Sequence, residues 1–155
     1  MTKTYAVTFQ IKLGEQLKQA KKHIDVIRDR LNDYPDVNLL LNDKQFGDRR
    51  VLNALLYILE DFNTFPPMRT YYTLLDFPRP QILYTGAIAE LLRSLAITDV
   101  RNFYPFQAGD IQLNPSKANE YLQLSEQYRQ MYIAERERFK RMLAVEEGYG
   151  GVWRW

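Results

Sequence analysis

The stretch from Asn114 to Trp155, NPSKANEYLQLSEQYRQMYIAERERFKRMLAVEEGYGGVWRW, decides the fold that we predict for this chain. Up to Glu147 it carries one uninterrupted helical pattern of about 33 residues, and at about 1.5 Å per residue such a helix is about 50 Å long. A domain formed from 155 residues is too small to cover that helix on all sides. We therefore expect part of the helix to contact other proteins.

The predicted helix starts with a cap, because Asn114 suits the N-cap and Pro115 suits the first turn. One side of it keeps heptad spacing but is aromatic and partly polar, unlike the leucine-rich seam of a dimeric coiled coil. We interpret this side as a contact surface for other proteins. It consists of Ala118, Tyr121, Ser125, Tyr128, Tyr132, Glu135, Phe139 and Met142, and the interface residues that we predict in it are Tyr128, Tyr132, Phe139 and Met142.

Glycines interrupt the pattern after residue 147, and residues 148–155 are predicted to form an aromatic C-terminal arm. Apolar side chains of this kind are costly to leave in water, and glycines let a segment reach a pocket on a neighbour. A disordered terminus is the alternative. The predicted docking residues are Tyr149, Val152, Trp153 and Trp155.

Upstream, the pattern indicates an extended N-terminal segment, residues 1–13, in which apolar and polar residues alternate from Thr4 to Leu13. A helical core follows over residues 14–113. Its predicted helices are Gly14–Asp33, Asp43–Asn63 and Pro80–Asn102, and Phe103–Leu113 is predicted as an extended loop or short hairpin. The predicted core residues are Leu17, Ile24, Ile27, Val51, Leu55, Ile58, Leu59, Ile88, Leu91 and Leu95.

Prolines and one glycine indicate where the predicted helices of the core start and where they pack closely. Prolines 66, 67, 78 and 80 prevent a regular helix between the second and third helices, and Pro80 suits the first turn of the third. Gly86 costs about 1 kcal/mol relative to alanine inside a helix, so we expect another helix to approach closely there. The fold class is therefore mainly α, a small bundle of about four helices with a long C-terminal helix, an extended N-terminal segment and a C-terminal arm.

Catalytic chemistry has few candidates in this sequence. There is one histidine, His23, and no cysteine, so a catalytic triad would depend wholly on His23, which we interpret as a helix-surface residue. We predict no catalytic, metal-binding or cofactor-binding residues, and the glycines are too scattered for a phosphate loop. A small enzyme that uses carboxylates stays open, and it would require a concave site that gathers Asp25, Asp29 or Glu60.

The net charge of +2 gives no global attraction to nucleic acid or to an anionic membrane, and no apolar run is long enough to cross a bilayer. Basic residues are frequent in the first and last helices. In the last helix they alternate with Glu126, Glu135 and Glu137, which favours a solvated, salt-bridged face. A nucleic-acid-binding accessory protein remains an alternative, and it would bind with salt-dependent affinity.

The order of elements resembles that of virion structural proteins of tailed bacteriophages. The resemblance runs from about Leu52 to Gly150 through LLYILEDFNTFPP, GAIAELLRSLAITDVRN and FYPFQAGDIQLNPSKANEYLQLSEQYRQMYIAERERFKRML. The most similar type is the head-to-tail adaptor, or connector, which docks under the portal. The segment Thr4–Leu13 does not match this pattern, so another neck or tail component of a phage is an alternative.

The resemblance implies a non-enzymatic protein of the virion neck, made in the host cytoplasm. It implies a homo-oligomeric ring, usually twelvefold, between portal and tail proteins around the DNA channel. Because DNA has to slide through such a ring, we expect only weak contact with genomic DNA, and we expect none with a membrane. The resemblance also implies arms that engage the portal and neighbouring subunits, but it carries no diagnostic catalytic motif.

Overall fold

A computed structural model describes residues 18–38, 43–68, 70–102, 106–108, 111–113 and 117–150. In this part of the chain the protein is mainly helical, as the sequence predicts. The helices are α1 (residues 18–31), α2 (Asp48–Thr64), α3 (Pro80–Arg101) and α4 (Ala118–Gly150), and a two-stranded antiparallel hairpin, β1 (Phe106–Ala108) and β2 (Ile111–Leu113), lies between α3 and α4. The predicted segment 1–13, Leu17 and residues 151–155 lie outside the described residues.

The helix α1 ends two residues before the predicted Asp33, for a local reason. Asn32 adopts a left-handed conformation with φ of 50°. The backbone N–H of Asp33 then bonds to the carbonyl oxygen of Arg28 at 3.1 Å, and that of Asn32 to Asp29 at 3.3 Å. This pair of bonds is a Schellman motif, which ends a helix and satisfies its last carbonyl groups.

The helix α2 starts later than the predicted Asp43, because the preceding residues are held in a turn. The Asp33 carboxylate accepts hydrogen bonds from the backbone N–H groups of Gln45 at 2.6 Å and Phe46 at 3.1 Å. Gly47 then occupies the N-cap position in an extended conformation. A side chain distant in the sequence therefore sets this helix boundary.

The long helix differs from its prediction at both ends. It starts at Ala118, and Lys117 is not helical, whereas Asn114 and Pro115, predicted as its cap and first turn, lie outside the described residues. The backbone N–H of Lys117 bonds instead to the Asp99 carboxylate of α3 at 2.8 Å. At the other end α4 continues through Gly150, beyond the predicted Glu147.

The core lies where α1, α2 and α4 pack on α3, and most of the predicted core residues are in it. The buried ones are Ile24, Ile27, Val51, Leu55, Ile58, Leu59, Ile88 and Leu91, with Leu95 partly buried. An aromatic cluster closes one end: Phe62 contacts Phe77 edge to face with ring centroids 4.8 Å apart, and Phe139 at 5.9 Å. Such pairs stabilise a core beyond their buried area.

Neighbouring helices come close to Gly86 of α3, as predicted. A Cβ atom at this position would lie 2.7 Å from Cγ2 of Ile58 in α2 and 3.0 Å from the Tyr132 ring of α4. Both neighbouring helices therefore reach the backbone of α3 at one point. Arg50 of α2 contacts Ser94, and Ser125 of α4 contacts Ala89. Compared with the contacts at Gly86, residue numbers rise along α2 and α4 as they fall along α3, so both helices run antiparallel to α3.

Candidate functional site

The predicted contact side of α4 is buried within its own chain, which corrects part of the interface prediction. Tyr132 is 4% exposed and Phe139 is 3% exposed, and both belong to the hydrophobic core. Tyr128 and Met142 are half-buried and pack against the same core. The sequence predicted that this aromatic and partly polar side contacts other proteins, whereas its partners in the structure are helices of the same chain.

The predicted arm residues cannot be placed in the same way. Tyr149 lies within the last turn of α4, and its side chain is outside the described part of the structure. Val152, Trp153 and Trp155 follow the described residues altogether. The docking prediction for these four residues therefore stays a prediction.

A groove lies between α2, α3 and α4, and its volume is about 470 Å³. The small residues Gly86, Ala89 and Ser125 belong to its lining, and all three are buried. Tyr57 of α2 and Leu122 of α4 also line it and are 62% and 45% exposed. The groove is thus shallow, with apolar side chains open to solvent beside it.

One end of the groove is fixed by a hydrogen-bonded group from α2 and α4. The Tyr132 hydroxyl donates to the Asp61 carboxylate at 2.6 Å, and the Arg136 guanidinium donates to the same oxygen at 2.5 Å. Burial, and then the hydrogen bond to Asp61, raises the pKa of Tyr132. Tyr132 therefore stays protonated and remains a donor, and Asp61 is occupied by partners of its own chain.

The remaining charges of the groove alternate in sign. Glu90 and Arg93 belong to α3, and Glu126 and Arg129 belong to α4. The last three are exposed and Glu90 is half-buried, so these groups keep contact with water. The groove combines apolar surface with acids and bases, which suits binding of an amphipathic peptide segment.

This groove is not the carboxylate site that the enzyme alternative required. Asp25, Asp29 and Glu60 are exposed and do not line it. Asp29 accepts a hydrogen bond from the Tyr34 hydroxyl, and Glu60 accepts one from Tyr71. Within the described residues there is no group of three His, Cys, Asp or Glu side chains that could hold a metal ion.

His23 makes a contact that its sequence context did not indicate. Its Nδ1 atom lies 2.7 Å from the Tyr84 hydroxyl of α3, so this half-buried histidine joins two helices and is not a free surface residue. Burial, and then the nearby charge of Lys22, lowers its pKa. The neutral imidazole is therefore the form that the folded protein favours.

Two basic residues that the sequence assigned to solvated faces are buried. Arg28, 2% exposed, donates to Asp33 at 2.8 Å, to Asp48 at 2.5 Å and to the carbonyl oxygen of Phe46 at 2.6 Å. Lys140, 3% exposed, donates to the carbonyl oxygen of Pro67 at 3.2 Å. Burial, and then the charge of Arg136, lowers the pKa of Lys140.

Sequence reasoning also missed the outer face of α4. Leu124, Met131 and Val145 are 42%, 53% and 54% exposed. With the residues between them they form a second row at alternating steps of three and four. Its members, all exposed, are Leu124, Gln127, Met131, Ala134, Arg138, Arg141 and Val145. The same heptad count that located the buried seam could have located this row.

None of the helices in the described ranges is long and apolar enough to cross a membrane. Comparisons of the chain with protein-family models, with curated proteins and with solved structures found no match.

Proposed function

We propose that this protein is a non-enzymatic virion structural protein of tailed bacteriophages, a head-to-tail adaptor that forms a ring between portal and tail proteins around the DNA channel. The observation that carries the proposal is the exposed outer row of α4, Leu124 to Val145. The resemblance of the sequence to phage adaptors supplies the class of assembly.

The outer row is exposed among the described residues, and four of its seven members, Leu124, Met131, Ala134 and Val145, are apolar. It spans about 32 Å of α4 at the helical rise. The seam of Tyr132 and Phe139 fills the core, and the row lies about 100° around the helix from that seam, where its side chains are exposed. Exposed apolar residues aligned on one helix face differ from single scattered ones, which need no explanation.

A ring requires a contact between two different surfaces of each subunit. Such a head-to-tail contact closes into a ring when the rotation between neighbours divides a full turn evenly. The outer row supplies one such surface. The outer row also fits the alternative of another neck or tail component of a phage, which would bind other neighbouring proteins.

The charges of α4 favour a structural role over tight nucleic-acid binding. Arg136 is paired with Asp61, Lys140 is buried against Pro67, and Glu126, Glu135 and Glu137 lie among the other basic residues. A protein that surrounds DNA during its passage also benefits from weak contact, since tight phosphate binding would oppose sliding. Binding of the isolated protein to duplex DNA that persists at about 0.2 M salt would favour the nucleic-acid alternative.

The test of the proposal is Met131→Glu, which puts a charge in the middle of the outer row. We expect an unchanged circular dichroism spectrum and urea midpoint, but loss of incorporation into phage particles. Met68→Glu is the matched control, because Met68 is 68% exposed and lies outside α4. Normal incorporation of the Met131 variant, or an absence of the wild-type protein from the neck in electron micrographs of particles, would contradict the proposal.

A further inference from the structure

The groove between α2, α3 and α4 has exposed apolar side chains that no described residue covers. We propose that the groove of one copy binds residues 151–155, GVWRW, of a neighbouring copy. The inference rests on the proposed function, because the groove and the segment are two different surfaces, as a head-to-tail contact between neighbours in a ring requires.

The apolar part of the groove matches the two tryptophans of this segment. Tyr57 and Leu122 present apolar surface on opposite helices, and Gly86 and Ala89 contribute little side-chain bulk to the lining between them. A volume of about 470 Å³ is within the range of pockets that hold peptide side chains or small ligands. Tryptophan side chains that fill such depressions are typical of interface hot spots.

The charged groups of the segment and of the groove can also pair. Arg154 lies between Trp153 and Trp155 in the sequence, and the groove offers the carboxylates of Glu90 and Glu126. Two guanidinium groups, of Arg93 and Arg129, also line the groove. Guanidinium groups stack on indole faces, so acids and bases of the groove both have a partner in this segment.

The segment is too short to place both tryptophans over the groove of its own chain. Gly150 ends α4, and Arg136, at the near end of the groove, lies about 21 Å back along the helix axis. Ser125 lies about 37 Å back. Five residues extend at most about 18 Å, so docking of both tryptophans over the groove requires a second copy.

Tryptophan fluorescence tests this directly, because Trp153 and Trp155 are the protein's two tryptophans. The full chain is diluted over a wide concentration range, and the emission maximum is measured beside the molar mass from light scattering. We expect the emission to shift to shorter wavelength as the mass rises, since docking transfers the indoles from water into an apolar site.

The groove variant is Glu90→Lys/Glu126→Lys, and the matched control, Asp36→Lys/Glu120→Lys, changes the same charge at exposed acids outside the groove. Both variants should keep the wild-type urea midpoint. The groove variant should lose the emission shift and the control should keep it. Trp153→Ala/Trp155→Ala should weaken self-association by about thirtyfold or more, the equivalent of one hot spot.

A mixing experiment assigns the two halves of the contact to different copies. The tail variant, Trp153→Ala/Trp155→Ala, and the groove variant each lack one half, so each alone should assemble only weakly. Mixed together, the intact groove of one should bind the intact segment of the other and form heterodimers. The intact tryptophans should then shift their emission.

The possible failures are distinguishable. Assembly without an emission shift, or assembly of the groove variant at wild-type strength, overturns the inference and leaves the adaptor proposal standing. A shifted emission in a monomer at every concentration also overturns it, because the segment then docks within its own chain. A chain that stays monomeric with water-exposed tryptophans, and that is absent from particles, overturns both.

Discussion

The substitution Gly86→Ala places two physical effects in opposition, and the structure decides between them. Alanine stabilises a helix by about 1 kcal/mol relative to glycine. The added methyl group, however, would lie 2.7 Å from Cγ2 of Ile58 and 3.0 Å from the Tyr132 ring. Ordinary contacts are longer, so at least one neighbour has to move.

Neither neighbour moves easily. Ile58 is β-branched and has one strongly preferred rotamer in a helix. The Tyr132 ring is held by its hydroxyl group, which donates to Asp61 at 2.6 Å. Overpacking a well-packed core costs about 1 to 3 kcal/mol. After subtraction of the helix-propensity gain, we expect Gly86→Ala to lower the free energy of unfolding by about 1 kcal/mol.

Urea denaturation followed by circular dichroism measures this change. Ala134→Gly on the exposed face of α4 isolates the propensity effect and should cost about 1 kcal/mol. In an Ile58→Ala background the closest contact is removed and only the Tyr132 ring remains near the new methyl group, so Gly86→Ala should be less costly there, with a coupling energy of about 1 kcal/mol or more between the two sites. If Gly86→Ala stabilises the otherwise unchanged protein, the close approach of the three helices is refuted.

Three further predictions concern the rest of the bundle. Arg28→Ala leaves a buried carboxylate without its counter-charge and should cost about 3 to 5 kcal/mol by urea denaturation, whereas Asp48→Asn, at a largely exposed partner, should cost much less. Because the pKa of His23 is lowered from 6.5 on folding, the unfolded state binds the extra proton, so stability should fall as pH drops below about 6.5. His23→Gln should flatten that pH dependence of the urea midpoint, and an unchanged slope would assign it to other groups. Leu91→Ala, at a residue 1% exposed, should cost about 2 to 5 kcal/mol, and a loss under about 0.5 kcal/mol would place that side chain outside the core.

Local chemistry in the sequence determined much of the helical architecture. Pro80 starts α3 because its fixed φ suits a first helical turn. The steps of three and four along α2 and α3 located the core residues Leu55 and Leu91, because such spacing aligns side chains on one helix face. Gly86 indicated a close contact, since a glycine inside a helix is otherwise only a cost.

Only the tertiary structure decided what covers each face and which charges are buried. The seam through Tyr132 and Phe139 has the spacing of an interface, but spacing does not tell whether the covering helix belongs to the same chain. Arg28 is buried because Asp33 and Asp48 surround it, which a pattern along one helix cannot show. The outer row of α4 became a candidate contact surface only once the seam about 100° around the same helix was seen to be filled by the chain's own core, because a pattern along one helix does not show which of its sides the fold covers.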